Sequence, residues 1–328
     1  MNTKEIRERL EPIVDISTGK TLGESKAIKH IGIDDEREIV VLLISIGELG
    51  GPAEKKIRHE IAKILKIDMK FKGVKFSFEE NKKIIGNNVK FIIVSSGKGG
   101  VGKSVVAANL AVALVRAGKK VGLIDADIYN PSIPDAMEIA TTTPEVTEND
   151  KIVPFRKFGV EVMSTEFFAD RGRPIMWRGS QLNTLLNNYF TQVAWDRNLD
   201  YMIIDAPTGT GDIMLDLKNI SPNAEYLLVT TPHTLVSHMV TKAGAGAKEL
   251  NHNIIGIIEN MAYYLDPKTN EKVELFGNGG GENVARMLDT EVLASIPFAT
   301  PTHNFTVYES DELAGKIFDD LAALLVIR

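Results

Sequence analysis

Residues 91 to 104 read FIIVSSGKGGVGKS, a β-branched apolar run that breaks into glycines and restarts at a lysine and a serine. The run reads as a strand, and the residues from Lys103 to Ala117, with SVVAANLAVALVRA at their heart, read as a helix. Between them Gly97, Gly102, Lys103 and Ser104 satisfy the spacing G-x-x-x-x-G-K-[ST]. Glycines at these points let backbone N–H groups close around phosphates, the lysine offsets charge on the β and γ groups, and the hydroxyl ligates Mg²⁺. The helix beginning at Lys103 points its positive end at the same anion. The loop Gly97, Lys98, Gly99, Gly100, Val101, Gly102, Lys103, Ser104, with Val105 behind it, is therefore expected to bind ATP and Mg²⁺. A glycine-rich turn without a ligand is the alternative, and the flanking strand and helix speak against it.

Outward from this loop the pattern repeats as strand, loop, helix: KKVGLIDA, DYMIID, EYLLVTT and NIIGIIEN follow in turn. Short β-branched runs separated by helical stretches predict an α/β fold, a doubly wound, mostly parallel sheet with helices on both faces. Such sheets bind ligands at the carboxyl ends of their strands. Asp125 and Asp127 end one strand in LIDADIYNPS, and Asp205 ends another in DYMIIDAPTGTGD. Asp127 is expected to orient the attacking water, while Ser104, Asp205 and Asp127 supply the oxygens around the metal. Asp125 is expected behind them, and Asp212 reads equally as a functional carboxylate or a helix cap. Lys103 supplies a cation for the transferred phosphoryl group, and Lys98 is an additional cation inside the loop.

Upstream, residues 1–80 read as a small α+β unit: helix Thr3 to Leu10, strand Ile39 to Ile46, helix Pro52 to Leu65, strand Gly73 to Phe78. Its strand VVLLISI is apolar enough to predict cover on both faces. Residues 81–90 are polar with a Gly-Asn-Asn break and read as a linker, leaving 91–328 as the nucleotide-binding domain. Between Lys55 and Lys75 eight basic residues face two acidic ones. That stretch is a solvated helix face or a surface for nucleic acid or an acidic partner.

The chain of 328 residues is long enough for one large and one small domain, and its net charge of −6 argues against a coat of positive charge for nucleic acid. Cysteine is absent, which removes disulfides, thiolate nucleophiles and thiolate-held metal centres. The six histidines are scattered, so no structural metal site is expected. The start lacks a signal-like apolar core and no run is long enough to span a bilayer, which predicts a cytoplasmic protein. The acidic balance of the last helix, DELAGKIFDDLAALLVIR, argues against a membrane partner.

The segments SSGKGGVGKS, VGLIDADIYNPSIP, MWRGSQL, DYMIIDAPTGTGD, VTTPH, GIIENMAYY and FGNGGGENVA closely resemble the Mrp/ApbC family of deviant Walker A ATPases over about residues 88 to 300. The resemblance makes Lys98 the signature lysine that reaches a neighbouring subunit's nucleotide, and the active unit a homodimer. It places Asn260 at the adenine, Pro297 near the base, Trp177 in packing beside the dimer surface and Arg178 across it. The first 80 residues resemble the small iron–sulfur-assembly-type domain that many members carry. Members that carry clusters have a Cys-x-x-Cys pair after the ENM segment; here that stretch holds Leu265, Asp266, Pro267 and Lys268. No iron–sulfur cluster is therefore expected on this chain alone. The missing cysteines resemble the SalA-like branch, linked to transcriptional regulation, so a regulatory switch acting on promoter DNA is the leading expectation. An iron–sulfur assembly factor working with a cysteine-bearing partner is the alternative, and a spatial organiser a third.

Overall fold

The computed structural model describes residues 3–16, 19–34, 37–47, 50–80, 89–140, 142–168, 179–209 and 212–328. The expected linker residues 81–88, together with Trp177 and Arg178, lie outside them. The chain divides into two compact units, Met1–Lys83 and Ile84–Arg328.

In the first unit, helix α1 (Thr3–Leu10) is followed by β1 (Ile28–Asp34), β2 (Ile39–Ile46), α2 (Pro52–Lys63) and β3 (Gly73–Glu80). The strands form a sheet ordered β1-β2-β3, antiparallel between the first pair and parallel between the second. Ile6 and Leu10 of α1 and Ile57 and Ile61 of α2 share one core with Val40, Leu42, Ile44 and Ile46. Ile39, Val41 and Leu43 are only half-buried. The expectation that β2 is covered on both faces is thus wrong. Both helices bury their apolar stripes on one face, and the uniformly apolar sequence hid the alternation. The expected helix to Leu65 ends instead at Lys63 and passes into a π-helical turn, Ile64–Asp68, in which Met69 N–H reaches back to Ile64 O (3.0 Å).

The second unit runs β4 (Lys90–Ser96), α3 (Lys103–Arg116), β5 (Val121–Asp125), α4 (Ile133–Ala136), β6 (Phe155–Lys157), β7 (Val160–Met163), α5 (Gly179–Thr191) and β8 (Tyr201–Asp205). It continues with α6 (Asp212–Ile220), β9 (Glu225–Thr230), α7 (Thr234–Glu249), β10 (Asn253–Glu259), the hairpin β11 (Tyr264–Leu265) and β12 (Lys272–Val273), α8 (Gly280–Met287), β13 (Val292–Ser295) and α9 (Leu313–Ile327). Eight strands form one sheet ordered β13-β10-β9-β4-β8-β5-β7-β6, parallel throughout except for the β6–β7 pair. In β4, β5 and β8 consecutive residues are buried, so both faces are covered. This is the doubly wound sheet that the alternation of strands and helices predicts. From β4 the chain builds to β5 and β7 on one side, and later to β9, β10 and β13 on the other. The strand order therefore reverses at β4, and the loop after it opens into the crevice where such sheets bind ligands.

Candidate nucleotide site

The loop after β4 is shaped by contacts that only glycine allows. A Cβ on Gly97 would lie 2.1 Å from the carbonyl carbon of Met239 on α7, so strand and helix approach backbone to backbone there. Gly102 has φ +81°, in the left-handed region, and a Cβ on it would meet Asn260 Nδ2 at 2.2 Å. The chain then enters α3 at Lys103 with its first amides facing the loop. Lys98, Gly99 and Gly100 are exposed, and Val101 is buried.

Four of the expected residues converge at the start of α3. Lys103 Nζ lies 2.6 Å from Asp205 Oδ1 and 3.7 Å from Asp127 Oδ2. Ser104 Oγ donates to Asp205 Oδ2 (2.6 Å) and accepts from Ser132 Oγ (2.8 Å). These are hard oxygen donors side by side, a set that suits Mg²⁺, which completes its shell with phosphate oxygens and water. Among the described residues no group of three or more His, Cys, Asp or Glu is arranged to hold a metal ion.

Asp125 organises the loop that follows β5. Its Oδ2 accepts from Ser132 N (3.0 Å), Ile133 N (3.1 Å) and Ser164 Oγ (3.1 Å), and its Oδ1 accepts from Asp127 N (3.2 Å). Burial, reinforced by the Asp205 carboxylate, pushes its pKa up to about 8. Burial also raises Asp127 and Asp205, opposed in both by the Lys103 ammonium. Ser132 and Ser164 were missed by sequence reading. Ser132 could have been picked from the DADIYNPS segment, whereas Ser164 joins the site only through the fold. Asp212 opens α6, and its side chain is outside the described residues.

Beside Gly102 opens a pocket lined by Val105, Asn260, Met261, Pro297, Phe298 and Tyr308, among others. Asn260 follows β10, and its Nδ2 donates to Val101 O (2.9 Å) across the loop. A carbonyl accepts only from the amide nitrogen, so this bond fixes the side chain's orientation and leaves Oδ1 as an acceptor. Val105, Asn260 and Pro297 are thus brought together with the phosphate loop.

Two further stretches carry expectations. In the basic stretch of the first unit, Arg58 pairs with Glu54 (2.6 Å), Lys56 with Glu60 (4.0 Å) and Lys72 with Glu38 (2.5 Å). Arg58 also lies over the rings of Phe76 and Phe78. Much of this charge serves a solvated face. In the stretch from Leu265 to Lys268, where the family resemblance leads one to look for cysteines, Asp266 Oδ1 accepts from Lys268 N (2.7 Å) and Thr269 N (3.2 Å), capping the turn of the β11–β12 hairpin.

A lysine and a serine at the mouth of a pinched glycine loop, faced by two strand-end aspartates where a parallel sheet reverses, define a P-loop nucleotide-binding protein. Residues 87–315 match the family described as ParA: NUBPL iron-transfer P-loop NTPase, and the chain belongs to that family. The chain is 38% identical over 340 residues to an iron–sulfur cluster carrier protein of Bacillus subtilis (strain 168), covering 97% of this chain and 95% of that one. It is 36% identical over 208 residues to the iron–sulfur cluster transfer protein NUBPL of Mus musculus, covering 63% and 65%. Among solved structures, a nucleotide-binding protein from Archaeoglobus fulgidus in complex with ADP matches with a TM-score of 0.56 and 32% identity, over 75% of this chain and 90% of that one. The Aquifex aeolicus MinC:MinD cell division complex matches at 19% identity and a TM-score of 0.53, which speaks to the fold alone.

Proposed function

We propose that this chain is a cytoplasmic ATPase that binds and hydrolyses Mg·ATP as a homodimer and takes part in iron–sulfur cluster delivery alongside a cysteine-bearing partner. The observation that carries the reading is the convergence of Lys103, Ser104, Asp127 and Asp205 at the head of α3. The loop amides and Lys103 bind the β- and γ-phosphates. Ser104 and Asp205, with Asp127 beside them, hold Mg²⁺, which offsets charge on the phosphate oxygens when bound. Asp127 is close enough to the ammonium to orient a water toward the γ-phosphate. Asn260 Oδ1 accepts from the adenine amino group, and Pro297 borders the ring. Lys98, exposed beside the phosphates, serves the second subunit's site.

The cluster is cargo in this reading, and the chain offers it no thiolate, because cysteine is absent. Carboxylates and lysines are poor ligands for iron–sulfide, so the sulfur ligands belong to the partner and nucleotide-driven docking belongs to this chain. The relatives, named as cluster carriers, favour this over the regulatory role on promoter DNA that was the leading expectation. That role rests on the Lys55 to Lys75 stretch, three of whose cations are engaged in ion pairs.

The test is anaerobic. The purified chain is mixed with a cysteine-bearing protein loaded with cluster, with Mg·ATP or Mg·ADP, and followed by gel filtration with visible absorbance. The expected result is a colourless chain alone and nucleotide-dependent co-elution with the coloured partner. A stable brown protein from this chain by itself, or preferential ATP-dependent binding of a specific DNA duplex that is lost on reversing charge at Lys63 and Lys66, would overturn it.

A further inference from the structure

Asn109 is an amide on α3, 3% exposed, among alanines and leucines. A buried amide is costly unless its groups are paired, and here both its nitrogen and its oxygen are paired. Nδ2 donates to Val105 O (2.9 Å) and to Thr306 O (2.8 Å), and Oδ1 accepts from Tyr308 N (2.9 Å). All three partner residues line the base pocket. A purely structural amide could bond any neighbouring backbone, whereas this one joins the floor of the pocket on α3 to its wall nearly two hundred residues later in the chain.

The same wall is tied a second time. Thr306 Oγ1 donates to Ala136 O (2.6 Å) and Phe305 N donates to Glu138 Oε1 (2.6 Å). Ala136 ends α4, the short helix whose first residues Asp125 holds through Ile133. On its other side, Tyr308 Oη donates to Ala299 O (2.7 Å), closing the pocket rim. The segment 305–308 is therefore bonded both to α3 and to the end of α4, and it is part of neither.

We propose that Asn109 is a positioning residue for the nucleobase: by fixing the Thr306–Tyr308 wall against α3 it sets the width of the pocket for a purine, and so carries part of the affinity for ATP without touching it. The inference rests on the nucleotide reading above. It makes the wall a separable part of the site, because the turns at Gly97 and Gly102 are set by Met239 and Asn260 rather than by a bond to Asn109.

Calorimetric titration of the full chain with Mg·ATP and with Mg·tripolyphosphate separates the two parts, since the second ligand has phosphates and no base. Asn109→Ala is expected to weaken ATP about tenfold and to leave tripolyphosphate unchanged; Thr306→Val, which removes one bond from the wall, is expected to weaken ATP about threefold. Should Asn109→Ala fail to fold, Asn109→Ser, whose hydroxyl is too short to bridge to both Thr306 O and Tyr308 N, decides in its place. Equal losses for both ligands, or no loss for ATP in a folded variant, overturn the inference. If the unsubstituted chain takes up neither ligand, the nucleotide reading itself falls.

Discussion

Gly97 leaves no room for a methyl group, since the added carbon would sit inside the backbone of Met239. Gly97→Ala is therefore expected to push the loop off α7 and raise the Kd for Mg·ATP by at least about tenfold, read by calorimetry, while the melting temperature drops by only a few degrees. An unchanged Kd would show that the loop can bind phosphates in another path. Lys103→Ala should remove measurable ATP binding. It also strips Asp205 of its ammonium partner, so the variant's fold needs checking by circular dichroism. Lys98→Ala should bind ATP within about twofold of the parent yet lose roughly a hundredfold or more in turnover, the pattern of a cation that acts on the transition state. Turnover equal to the parent's would remove the cross-subunit role. The spacing of Lys103 and Ser104 was legible because the motif is local. Asp205 was legible because strand ends line up in parallel sheets. The bonds from Ser132 and Ser164 were not, because they join residues 28 and 39 positions apart.

Elements were legible where apolar runs were long. The second unit's parallel strands could be read almost residue by residue, because burial on both faces makes each a continuous β-branched block. Strand β1 was not legible: IKHIGID interrupts its apolar residues with Lys29, His30 and Gly32, and it is held by pairing with β2 and by Ile28 in the shared core. The β11–β12 hairpin was hidden too, since each strand is two residues long and the turn is held by local bonds to the Asp266 carboxylate and between Asp266, Asn270 and Glu271. One histidine at the entrance to β10 gives an element-scale test. His252 is buried, its Nδ1 faces Ala224 O at 3.1 Å, and its ring packs on Tyr226 at 4.5 Å between centroids. Nδ1 must carry the proton to make that bond, which leaves Nε2 bare and without a hydrogen-bond partner among the described residues. Burial, with Lys218 nearby, lowers its pKa below the ordinary value of 6.5. A depressed folded-state value means that the unfolded chain takes up the proton first. The contribution of His252 to stability is thus complete above about pH 6.5 and is lost as pH falls through the folded-state value. His252→Phe keeps the ring packing and removes the titration. Its melting temperature should fall less steeply than the parent's on going from about pH 7 to pH 5, and parallel curves would show that another group sets the acid limb.

At the scale of the whole molecule the two units have separate cores that share no residue: Ile6, Leu42, Ile44 and Ile57 belong to one, Val94, Leu110, Leu123 and Ile203 to the other. The division was foreshadowed by the polar stretch near residue 81; the quoted family motifs lie within about residues 88 to 300, while the Bacillus subtilis relative aligns over 97% of the chain. Every residue proposed to touch nucleotide lies in the second unit, from Gly97 to Pro297. The chain of residues 84–328 alone should therefore bind Mg·ATP within about threefold of the full chain's Kd, a difference of roughly 0.6 kcal/mol. At a hundredfold excess over Kd, ATP should stabilise it by about 2.7 kcal/mol against thermal unfolding. The chain of residues 1–83 is near the lower size at which one core suffices, yet its helices and strands close around a shared set of buried aliphatics. It should unfold cooperatively by circular dichroism, with a midpoint that ATP does not move. A loss of affinity well beyond threefold in the isolated second unit would mean that the first unit supplies part of the nucleotide site, and the assignment of the whole site to the crevice after β4 would then be incomplete.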